Sequence, residues 1–126
     1  MTALRIAGKV ERDARIAELT TFLEGKGSGR LRSHEAILCV LYWVERGASG
    51  PVRAREISLL YPRHDGRRLP PATQELRHHV ERGLAESLGD GRYRLTPLGR
   101  QVVEALPDRA AVARLRGLRP PTEREG

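Results

Sequence analysis

Apolar residues recur along most of this chain at helical spacing and alternate in only one short region. The pattern therefore predicts a mainly α fold with a small β-hairpin, of the α+β class. Val10, Ile16, Leu19, Phe22 and Leu23 mark a first helix over 9–24, with residues 1–8 expected to be irregular. Gly25-Lys26-Gly27-Ser28-Gly29 breaks that helix and reads as a flexible link. It lacks the spacing of a nucleotide-binding loop. Ser33 is placed to cap the next helix, with Glu35 in its first turn. The run 36–44 is apolar on nearly every side, which marks a central helix with Trp43 as its largest buried group. Gly47 ends it.

A short extended piece at 50–52 leads to a helix over 53–61 with Ala54, Ile57 and Leu60 inward, stopped by Pro62. Residues 62–70 read as a charged loop turning at Asp65-Gly66. Pro71 suits the first turn of a helix over 71–83. On that helix Ala72, Leu76, His79, Val80 and Gly83 share one face, and Gln74, Arg77, His78 and Glu81 share the opposite one. Residues 84–88 and 92–96 then pair across Gly89-Asp90-Gly91. Thr96 caps a last core helix with Pro97 at its first position and Leu98, Val102, Val103 and Leu106 inward. A short helix over 108–116 and a proline-rich, disordered end over 118–126 complete the reading. The chain divides into a helix and linker (1–30), a compact domain (31–106) and a tail (107–126).

Composition narrows the function. The net charge is +7, carried almost wholly by arginine and spread along the chain; a GC-rich genome accounts for the arginine bias, and the excess charge adds only a weak attraction to polyanions. A single cysteine, Cys39, excludes an internal disulfide and a cysteine-based zinc site. No apolar stretch reaches membrane-spanning length, and a bacterial cytoplasm, at the nucleoid, is the expected location. One Trp, three Tyr and one Phe are too few for a base-stacking platform. No nucleophile–base set or converging carboxylate pair is arranged by the predicted helices, so neither an enzyme nor a cofactor is expected. His78 and His79 point about 100° apart on a helix and do not chelate one ion together.

The order helix, short strand, helix, helix, hairpin, helix resembles the winged helix-turn-helix of bacterial transcriptional regulators of the MarR and PadR type. The resemblance spans about 33–106. It rests on Arg55-Glu56-Ile57, on Val80-Glu81-Arg82-Gly83-Leu84, and on the run Asp90-Gly91-Arg92-Tyr93-Arg94-Leu95-Thr96-Pro97-Leu98-Gly99-Arg100. It implies a helix over 71–83 lying in the major groove and a hairpin over 84–96 acting as the wing. Thr73, Gln74, Arg77 and His78 would then face base edges, Arg77 suiting guanine and Gln74 adenine. Arg53, Arg67 and Arg68 would hold phosphates, and Arg92 or Arg94 would be the wing contact, whichever strand face turns outward.

The sequence departs from that pattern in three places. The segment before the 71–83 helix is about nine residues, not three or four; the 53–61 and 71–83 helices lack Ser, Thr, Asp or Asn at their caps; and Glu75 and Glu81 share the second of these helices with Arg77. The expected partner is double-stranded DNA, bound by a homodimer joined through 10–23 or 110–115. The alternative, from another class, is a protein-interaction module or adaptor subunit that docks a protein partner.

Overall fold

The computed structural model describes residues 2–48 and 50–117, with side chains described from Glu11 onward except Ser28. The expected disorder over 118–126 lies outside the described residues. In chain order the elements are α1 (Thr2–Gly25), a 3-10 turn (Ser28–Arg30), α2 (Ser33–Gly47), β1 (Val52–Arg53), α3 (Ala54–Leu60), β2 (Arg63–His64), β3 (Arg67–Arg68), α4 (Ala72–Glu81), β4 (Ala85–Gly89), β5 (Arg92–Leu95), α5 (Pro97–Ala105) and α6 (Arg109–Gly117). The protein is thus mainly helical with a small antiparallel sheet. No described helix is long and apolar enough to cross a membrane.

α2 is the central helix, as its apolar run requires. Ala36, Ile37, Leu38, Cys39, Val40, Leu41 and Val44 are all buried in it. Trp43 is not: it is half-buried, and the Arg15 guanidinium lies 5.7 Å from the centre of its ring. A helix apolar all round does not tell from sequence which side its neighbours leave thin. Here Trp43 falls on the side shared with α1. That helix begins at Thr2, not Lys9, because nothing before Gly8 disfavours helix. α1 docks through buried Leu19 and Leu23, each worth about 2 kcal/mol. Phe22 stacks on Tyr42 with ring centres 6.0 Å apart.

The link at 25–29 is pinned rather than loose. Lys26 Nζ donates to the carbonyls of Val103 (2.6 Å), Glu104 (3.2 Å) and Leu106 (3.2 Å), satisfying the exposed carbonyl end of α5. The start of α2 is tied in the same way. Arg32, not Ser33, is the capping position, and its amide donates to Glu35 Oε1 at 2.7 Å. Arg109 grips the same carboxylate at 2.7 Å and also donates to the Arg30 carbonyl. Burial pushes the Glu35 carboxyl up, but the Arg32 amide and the Arg109 guanidinium outweigh it and hold it below its ordinary value.

The sheet has the order β1-β5-β4, antiparallel throughout, with Val52 opposite Tyr93 and Arg53 opposite Arg92. Tyr93 and Leu95 point into the core from β5, and Leu84 and Ala85 join them. Gly83, at φ +77°, turns the chain from α4 into β4. Thr96 locks the far end. Its hydroxyl donates to the Gly83 carbonyl (2.7 Å) and accepts the Gly99 amide (3.0 Å), so it caps α5 and closes the α4–β4 turn together. Val102, Val103 and Leu106 are buried as expected, whereas Leu98 and Val80 are only half-covered.

Residues 62–70 form no loose loop. β2 and β3 are a second, separate hairpin, paired Arg63 to Arg68 and His64 to Arg67. Asp65 (φ 53°) and Gly66 (φ 78°) make its two-residue turn, both in the left-handed region that a twisted hairpin needs.

Candidate nucleic-acid interface

α4 is held by its apolar face. Ala72, Leu76 and His79 are buried, and His79 Nε2 donates to the His34 carbonyl at 2.8 Å. That bond fixes the tautomer: Nε2 carries the proton, and the buried Nδ1 presents a lone pair with no partner. Burial pushes His79 down to about 4, a direction opposed by its bond to His34 and reinforced by the neighbouring cations. The ring is therefore a neutral part of the core at neutral pH. The missing cap of α4 is supplied from another helix, where Ser58 Oγ of α3 accepts the Ala72 amide at 2.9 Å. No local pattern announces that bond, because the two residues lie fourteen apart.

The opposite face of α4 is free. Gln74, Arg77 and His78 are exposed, and none of their side chains makes a hydrogen bond or ion pair among the described residues. They sit at positions i, i+3 and i+4, which places them side by side on one helical face. Thr73 is half-buried at the edge of that face. Exposed Glu81 shares that face and half-buried Glu75 lies off it, and neither carboxylate pairs with Arg77 among the described residues.

The remaining candidates fall into two groups, in separate sheets. Arg67 and Arg68 lie on β3, exposed and unpaired among the described residues, as is Arg63 on β2. This hairpin joins the N-terminal end of α4 through only 69–71. Its fixture is His64, a residue that sequence reasoning passed over. His64 is 6% exposed; its Nε2 donates to the Leu31 carbonyl at 2.7 Å, and its Nδ1 accepts the Tyr61 hydroxyl at 2.6 Å. The Leu69 amide closes the base of the hairpin on the Pro62 carbonyl at 2.8 Å.

The second group lies on the outer face of the three-stranded sheet, at the C-terminal end of α4. The choice between Arg92 and Arg94 as wing contact dissolves, because residues two apart on a strand share a face. Both turn away from the core that receives Tyr93 and Leu95. Arg94 is exposed, yet its Nε donates to Glu86 Oε1 at 2.6 Å. Arg92 is half-buried, its Nε has no partner, and it lies opposite Arg53 across the strand pair. Arg53 Nη1 reaches the Asp90 carbonyl at the hairpin tip only at 3.4 Å. Asp90 itself is exposed there with φ 55°. No family model, curated protein or solved structure matches the chain.

Proposed function

We propose that the protein is a sequence-reading, double-stranded DNA-binding regulator of winged helix-turn-helix type, with α4 in the major groove and the β4–β5 hairpin as wing. The observation that carries this reading is the exposed triplet Gln74, Arg77 and His78 on a rod whose other face is packed into the core. A base-reading side chain needs such a rigid support, and both Gln and Arg have the paired hydrogen-bonding groups that base edges accept. Arg53 and Arg92 supply positive charge beside the wing, and the net charge of +7 favours encounter with a duplex.

The molecule acts as a homodimer in this reading. Among the described side chains of α1, Leu19 and Leu23 are buried and Ile16 and Phe22 pack at the edge of the core, so in this reading exposed positions such as Ala14, Ala17 and Thr21 go to a second copy. Two copies would read half-sites about one helical turn apart.

The test is selection of a preferred duplex from random sequence, followed by titration of wild type and Arg77→Ala. Arg77→Ala should lose about 1–3 kcal/mol on the selected site and little on random DNA. Equal affinity of the wild type for all duplexes excludes sequence reading. A protein-docking role is favoured by one observation, the neutralisation of Arg94 by Glu86 on the wing. Recovery of one stoichiometric protein partner, with no duplex retained, would select that role instead.

A further inference from the structure

We infer that the chief phosphate grip of this protein is the inserted β2–β3 hairpin, and that the β4–β5 wing contributes little. The inference rests on the DNA-binding reading and names which part of the surface holds the duplex backbone.

Charge separates the two hairpins. β2–β3 carries Arg63, Arg67 and Arg68 against one carboxylate, Asp65, and none of the three arginines is paired among the described residues. β4–β5 carries Arg92 and Arg94 against Glu86 and Asp90, and Arg94 is already bound to Glu86. A phosphate approaching the wing meets an exposed Asp90 at the tip, must compete with Glu86 for Arg94, and finds Arg92 half-buried. A phosphate approaching the outer face of β2–β3 meets Arg63 and Arg68, cross-strand partners with none of their donors engaged, which suits forked contacts to its oxygens.

Rigidity points the same way. The two-residue turn, the Leu69–Pro62 bond and buried His64 fix the backbone beneath the arginines. His64 ties this hairpin to Leu31, just ahead of α2, so it moves with the core rather than as a loop. A grip on a fixed base loses less conformational freedom on binding.

Position completes the case. α4 is about 15 Å long, and β2–β3 abuts its N-terminal end while β4–β5 leaves its C-terminal end. In this reading α4 lies in a major groove about 12 Å wide, and the arginine hairpin, joined to the N-terminal end of α4, lies against the backbone bordering that groove.

The experiment compares three proteins on the selected duplex: wild type, the double variant Arg63→Ala/Arg68→Ala, whose residues are paired across the hairpin and share its outer face, and Arg94→Ala. Affinity is measured at salt from about 50 to 200 mM, and each phosphate contact contributes about 0.9 to the slope of log K against log salt. All substituted positions are exposed, and unchanged circular dichroism and melting confirm the fold. The double variant should have a slope shallower by about 1.8, with its ranking of duplexes unchanged. Arg94→Ala should keep the wild-type slope. A wild-type slope for the double variant, or an equal loss for Arg94→Ala, overturns the inference while the DNA-binding reading stands. No duplex bound by the wild type at about 50 mM salt overturns both.

Discussion

Single side chains set the tolerance of this protein to acid and to small changes in volume. His79 is folded in its neutral form at about 4, against an ordinary value near 6.5. The unfolded chain therefore binds a proton in the window that the native state refuses. Stability is complete above about 6.5 and declines as pH falls toward about 4, a loss of about 3 kcal/mol from this residue. Burial lowers His34 too, with the same sign. Urea titrations at several pH values should show this slope, and His79→Gln should flatten it. Gly99 is limited by space. A Cβ there would stand 1.9 Å from the Leu84 carbonyl oxygen, which is backbone and cannot swing aside. Gly99→Ala should cost about 3 kcal/mol, read as a fall in melting temperature. The same physics explains Cys39: burial raises its thiol to about 12, so it behaves as a small apolar residue.

At the scale of elements, the joints between helices are made by distant side chains. Lys26 closes α5 from 77 to 80 residues away in sequence, and Lys26→Met should lose about 2 kcal/mol by leaving those carbonyls without their charged donor. Hydrogen exchange should then quicken at the C-terminal turn of α5. Such joints mark where sequence stops being informative. The helices, the β4–β5 hairpin and the Thr96 cap were legible because spacing, turn residues and caps are local. The β2–β3 hairpin was not, since its strands are two residues each and largely charged, leaving Asp65-Gly66 as the only cue. The Ser58 and Arg109 bonds could not be read at all before α3, α4 and α6 were placed. Trp43 misled for a related reason: an apolar run reports burial in general, not which flank a neighbour covers. Of the candidate interface, the free face of α4 was readable from periodicity. The unequal state of the two hairpins depended on where Glu86 and His64 point.

Across the whole molecule, net charge of +7 makes self-repulsion part of the folded state. Arg53 and Arg92 concentrate it, facing each other across β1 and β5 with no carboxylate between them, an arrangement that costs stability in paired strands. Screening relieves that cost, because like charges at the surface interact less as the Debye length shortens. The protein should therefore melt a few degrees higher as sodium chloride is raised from about 50 to 200 mM. Arg53→Gln should melt higher at low salt and gain less from added salt. Brine, rather than a weak buffer, is thus the medium in which this arginine-rich fold should keep best.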